Sequence, residues 1–204
     1  MSGPWLASYI ALWAIVLIQG AVIFLILRQL GLMYLGTAQG VARDGLAVGK
    51  RAPQFTATGL AGETVALGDF QSAPLLLVFG SPNCSPCKNL IPHLNVFAAE
   101  RADDLRVLFL SRGEVEDARR FASEHNIEVP VAAHPDDALP DRFQARVTPF
   151  GFVIGMDGLI LAKGLVNTRE HLDMLVHMAG EELRHNPEAG RNGAAVIDPA
   201  EVRS

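Results

Sequence analysis

Cys84 and Cys87 are the only cysteines in a chain of 204 residues, and two residues separate them. They lie in the run "FGSPNCSPCKNLIP", behind a short apolar stretch that reads as a buried strand and ahead of a helical one. Two thiols at that spacing can close a small ring with tolerable strain, so the pair can cycle between dithiol and disulfide. With the helix starting at Ser85, Cys84 stands at its N-terminus. Unpaired amide groups and the positive end of the helix dipole stabilise a thiolate there. Cys87 lies one turn further in and is more shielded. Cys84 is therefore expected to attack, or be attacked by, a partner disulfide, and Cys87 to resolve the mixed disulfide. Asn83, Ser85 and Pro86 are expected to tune the redox potential and meet the partner. Pro92 falls inside the helix, removes one backbone hydrogen bond and should bend it.

A close cysteine pair has two other uses. A zinc site needs two further ligands, and the sequence has no second cysteine pair; His93 on the same helix offers one ligand at best. A purely structural disulfide closing so short a loop stabilises little. Redox chemistry is the reading that the strand–Cys-x-x-Cys–helix context supports. It needs no metal or cofactor, and none is expected. Thr148-Pro149 is the second element of interest. It follows an irregular loop and precedes a strand, and X-Pro is where cis peptides occur.

The elements that must position these residues follow from periodicity and turn signals. Phe55–Thr58 and Thr64–Leu67 flank a Gly-containing turn and predict a hairpin. "LLLVF", Leu75–Phe79, predicts a strand buried on both faces. The cysteine helix runs from Ser85 to about Arg101. Arg106–Leu110 predicts a strand, Val115–His125 an amphipathic helix and Ile127–Val131 another strand. A short helix falls within the loop Asp136–Ala145. Two strands flank the turn Met156–Gly158, and a last helix runs from an N-cap at Thr168 to about Leu183. This order argues for a central mixed sheet with helices on both faces, an α/β fold.

The N-terminal part has a different character. Residues 1–27 contain no Asp, Glu, Lys or Arg, and Trp5–Leu27 is almost wholly apolar. As a helix that run is roughly 35 Å long, enough to cross a bilayer core of about 30 Å. A cleaved signal peptide has a basic start and a shorter apolar core, so an uncleaved anchor is expected. The organisation reads as a transmembrane helix over 5–27, a linker over 28–47, one α/β domain over 48–185 and a mobile tail over 186–204. The net charge of −5 comes with no basic block, which excludes nucleic acid as a partner.

"VFGSPNCSPCKNLIP" followed by "VTPFGFVIGMDGLILAKG" resembles the thioredoxin superfamily over roughly Val48–Gly180. The resemblance implies a thioredoxin-like fold in which Pro149 is cis and faces the cysteine pair, with Thr148 offering backbone groups to a bound partner. "GKRAPQFTATGLAGETVALGDF" resembles the N-terminal hairpin of membrane-anchored TlpA-like thiol reductases and of peroxiredoxins. The whole chain, with its anchor, Gly-rich linker and "SPxCxxCK" style of site, is similar to the MauD proteins of methylamine utilisation. That similarity implies a thiol–disulfide oxidoreductase or isomerase on the inner membrane, its domain in the periplasm. The implied client is the disulfide-rich small subunit of methylamine dehydrogenase, and an upstream membrane thiol donor or acceptor resets the pair. TlpA-like relatives imply a different client, apocytochrome c, and a non-catalytic binding or assembly module is the reading from another class.

Several positions depart from those families. Asn83 stands where thioredoxins usually carry Trp, and Val78 where they carry a buried acid that assists proton transfer to the resolving thiol. Leu77 and Ser81 stand where peroxiredoxins need Pro and Thr, which argues against peroxidase chemistry. Charge gives the opposite topology to the resemblance: Arg28, and farther off Arg43, Lys50 and Arg51, lie after the apolar run, and cations tend to stay in the cytoplasm. Large domains translocate largely regardless of such charges, and the resemblance places this one in the periplasm. Deleting residues 1–35 is expected to release a soluble, folded domain; a truncated protein that stays with membranes through a salt wash would contradict a single anchor.

Overall fold

The computed structural model describes residues 3, 5, 8–25, 44–135 and 138–185. The sequence-predicted tail over 186–204 and most of the linker, including Arg28 and Arg43, lie outside them. Residues up to Arg43 form one unit and residues from Asp44 onward another. In the first, helix α1 (Ser8–Leu25) has the length and composition of a single membrane span, and none of it is buried.

The second unit is built on one seven-stranded mixed sheet with strand order β2-β1-β5-β4-β3-β6-β7. Strands β1 (Thr56–Gly59) and β2 (Thr64–Ala66) form the expected hairpin. β3 (Leu75–Gly80) runs into α2 (Ser85–Glu100), and β4 (Arg106–Arg112) into α3 (Val115–Glu124). Then come β5 (Val131–His134), α4 (Ala138–Phe143), the hairpin β6 (Phe150–Ile154) and β7 (Ile160–Leu165), and α5 (Arg169–His185). β3 pairs in parallel with β4, and β4 with β5, while β6 pairs antiparallel with β3. The carboxyl ends of β3, β4 and β5 therefore meet along one edge.

β3 lies at the centre and all six of its residues are buried, which is why its sequence is continuously apolar. Alternate side chains point to opposite faces. Leu76 and Val78 join Leu90, Ile91, Leu94 and Phe97 of α2, Phe121 of α3, and Leu172 and Leu175 of α5. Leu75, Leu77 and Phe79 join Leu108 and Leu110 of β4 and a cluster on the other face that includes Phe143, Phe150 and Phe152. Phe79 is the hub there, with ring centroids 5.3 Å from Phe143 and 6.0 Å from Phe152. At the far end of α2, the guanidinium groups of Arg101 and Arg169 lie over the Phe97 ring, and both bond Asp173. This ties the cysteine helix to α5.

Two expectations shift. The strand placed at Ile127–Val131 lies at Val131–His134 instead. The Ile127 N–H is spent on Ala122 O at the end of α3, and Pro130 has no N–H to give a ladder. Asn95 of α2 also fixes the intervening turn, donating to Asn126 O and accepting from Glu128 N. Residues 44–47, assigned to the linker, are already attached to this domain: Gly45 N–H donates to Gln144 O and Leu46 N–H to Phe143 O.

Gly80 is the last residue of β3 before the cysteine loop. A Cβ at this position would lie 2.2 Å from Cζ of the fully buried Phe109. Gly80→Ala is therefore expected to lower stability by about 1–3 kcal/mol through overpacking. The readout is a lower urea midpoint at unchanged m-value; an unchanged midpoint would contradict the close approach.

Candidate active site

The buried end of β3 delivers the chain into a tight turn closed by Cys84 N–H donating to Ser81 O. Asn83 and Ser85 are exposed, as is Pro86, which occupies the first turn of α2 where a missing N–H costs nothing. Cys84 is the N-cap of α2, with extended backbone at φ −95° and ψ 108°. Its Sγ accepts the Cys87 N–H at 3.2 Å. One sulfur thus satisfies an orphan amide of the helix start and sits in the positive field of its dipole. Cys84 is half-buried and Cys87 fully buried, and the two form a disulfide. Pro92 lies inside α2, as the sequence indicates.

The Thr148-Pro149 loop, 64 residues further along the chain, comes to the same place. Its peptide bond is cis, and the Thr148 carbonyl oxygen lies 3.6 Å from Cys84 Sγ. Beyond the cis bond the chain enters β6, which pairs with β3, so both halves of the site are carried by neighbouring strands. A cleft of about 500 Å³ opens beside Cys84, with Phe79 and Gly80 in its wall and Arg112, His134, Arg146 and Thr148 around it. Among the described residues, no group of three or more His, Cys, Asp or Glu side chains is placed to hold a metal ion.

Arg112 and His134 were not singled out from sequence. They are register partners at the carboxyl ends of parallel β4 and β5. Ligand sites of open parallel sheets gather at that edge, so polar residues ending the runs "VLFLSR" and "VAAH" were the available signal. Ser111, next to Arg112, is also buried, and its hydroxyl has no hydrogen-bond partner among the described residues. Val78 is wholly buried on the α2 side of the sheet, where a thioredoxin-type acid would stand.

Residues 48–163 match the AhpC/TSA family. Over 179 residues the chain is 34% identical to the methylamine utilization protein MauD of Methylophilus methylotrophus, covering 85% of this chain and 83% of that one. The chain belongs to the AhpC/TSA family and to the MauD family. It is 26% identical to the thiol-disulfide oxidoreductase ResA of Bacillus cereus, over 64% of this chain and 78% of that protein. A DsbE-type thiol:disulfide interchange protein from Chlorobium tepidum superposes with a TM-score of 0.61 at 26% identity, covering 66% of this chain and 98% of the other. The fold of this MauD-family chain is thioredoxin-like, and its activity is that of a thiol–disulfide oxidoreductase.

The contrast in burial makes a direct expectation. In the reduced protein, an alkylating reagent should label Cys84 before Cys87, because Cys84 combines access with the helix-start field. Peptide mass spectrometry of a time course reads the order; faster labelling of Cys87 would reverse the two roles.

Proposed function

We propose that this chain is a membrane-anchored oxidoreductase for protein disulfides, with Cys84 as nucleophile and Cys87 as resolving thiol. The observation that carries the reading is the half-buried Cys84 sulfur at a helix N-terminus, facing the Thr148 carbonyl at the mouth of a cleft. In the reductive direction, the Cys84 thiolate attacks one sulfur of a client disulfide. A Cys84–client bond forms as the client bond breaks, and the released client sulfur takes a proton from solvent. Cys87 then loses its proton, attacks Cys84 Sγ and expels the second client sulfur, which is protonated in turn. The client gains two electrons and two protons, and the pair is left as the disulfide. Run backwards, the same steps oxidise a client. An upstream membrane thiol donor or acceptor resets the pair.

Thr148 and Pro149 meet the client's backbone beside the mixed disulfide, and Asn83, Ser85 and Pro86 set the potential from the first turn of α2. With Val78 in place of an acid, the Cys87 proton leaves to solvent or to the departing client sulfur. The anchor α1 holds the domain on the periplasmic face of the inner membrane, where disulfides persist. The client we propose is the disulfide-rich small subunit of methylamine dehydrogenase, a reading that rests on the name methylamine utilization carried by the relatives.

Cys87→Ala removes the resolving step and is expected to leave the client attached through Cys84, whereas Cys84→Ala leaves no comparable adduct. In cells expressing the methylamine-utilisation proteins, non-reducing gels with mass spectrometry should identify the trapped partner as that small subunit. Recovery of an apocytochrome c would keep the enzyme and replace the client. No adduct from either variant would favour a binding or assembly module.

A further inference from the structure

We propose that Asp44–Leu46, clamped by Lys163, is a strap that holds the Thr148-Pro149 loop against Cys84, and that Asp44 is a positioning residue of the active site. The inference rests on the reading of Cys84 and that loop as the reacting site. The strap touches the loop on both sides of the cis bond. Before it, Gly45 N–H donates to Gln144 O at 2.8 Å and Leu46 N–H to Phe143 O at 2.9 Å, while the Asp44 carboxylate accepts the Arg146 N–H at 3.3 Å. After it, Gly45 lies so close to Phe150 that a Cβ there would be 2.7 Å from the ring. Gly45 has φ +75°, a conformation that favours glycine and brings the strap down onto that ring.

Lys163 fixes the strap from the sheet. It sits on β7 opposite Phe152 of β6, and its ammonium donates to Asp44 O at 2.7 Å and Gly45 O at 2.6 Å. Burial lowers its pKa, and the Asp44 charge opposes that shift. Asp44 is itself buried, at 8% exposure, although a carboxylate taken out of water costs free energy unless it is bonded. Its carboxylate bond goes to the residue two positions before Thr148. The loop needs such support, because Gln144 adopts φ 56°, a left-handed conformation unusual for a residue with a side chain. The result is one continuous path of contacts: sheet to Lys163, Lys163 to strap, strap to loop, and loop to the Thr148 carbonyl 3.6 Å from Cys84 Sγ. A loosened loop would present its backbone poorly to a client, and misplacement of about 1 Å is enough to cost activity.

The test compares the full-length protein in detergent with Asp44→Ala, Asp44→Asn and Lys163→Met, using insulin as the disulfide substrate and dithiothreitol as reductant. Asp44→Ala and Lys163→Met are expected to raise KM about three- to tenfold, the weight of a buried hydrogen bond or two. Asp44→Asn keeps an acceptor for the Arg146 N–H and should return KM to near the parent value. Thermal midpoints measured alongside separate positioning from folding, and Lys163→Met carries the test if Asp44→Ala does not fold. Parent-like KM in the Ala and Met variants, a lowered midpoint with no change in KM, or an Asn variant as impaired as the Ala variant would each overturn the strap. A Cys84→Ala protein that still reduces insulin would instead remove the site reading itself.

Discussion

The arrangement depends on one junction, where a strand buried on both faces ends and a helix begins with a cysteine as its cap. β3 has no freedom to slide, because Leu75–Phe79 is paired on both sides and packed above and below. Its last residue, Gly80, is pressed against Phe109, so the loop that follows starts from a fixed point. Cys84 then serves two purposes with one atom. Its sulfur accepts the Cys87 N–H that the helix start leaves unpaired, and that bond, with the dipole behind it, favours the charged form needed for exchange. Cys87 is wholly buried by the same geometry, so the two thiols differ in access while remaining close enough to bond.

The rest of the site is brought to this junction by the sheet. β6 pairs with β3 and carries Pro149 at its entrance, which sets the Thr148 carbonyl beside Cys84. β4 and β5 end beside it with Arg112 and His134, and the α4–β6 loop adds Arg146, so two guanidinium groups line the cleft beside Cys84 on a chain whose net charge is −5. Such cations further favour a thiolate. The interior below is apolar where an acid would receive the resolving proton. In the proposed mechanism this combination favours attack by Cys84 and supplies no built-in base for Cys87.

Much of this was legible in the sequence, and for physical reasons. The apolar run at β3, the cysteine spacing and the helix after it are strong local signals, and the structure places Cys84, Cys87, Thr148 and Pro149 together. The start of β5 was misplaced because "IEVPV" has strand-like composition, whereas Ile127 N–H is spent on the end of α3 and Pro130 has none to offer. Arg112 and His134 were missed because neither belongs to a motif; strand pairing across about 20 residues makes them neighbours. The attachment of Asp44–Leu46 was missed for a related reason. Its partners lie about 100 residues away at Phe143, Gln144, Arg146 and Lys163, and a Gly- and Ala-rich stretch carries no periodicity to announce them.

The central claim is that Cys84–Cys87 is an exchanging pair and not a structural staple. Its equilibrium potential against dithiothreitol or glutathione buffers, read by the mass of alkylated and unalkylated protein, tests that most directly. The account predicts a reversible two-electron transition, tenfold in the ratio for about 30 mV, at a potential in the range of about −120 to −270 mV found for thiol oxidoreductases. A disulfide that resists these buffers and titrates below about −300 mV, as structural disulfides of secreted proteins do, would contradict it.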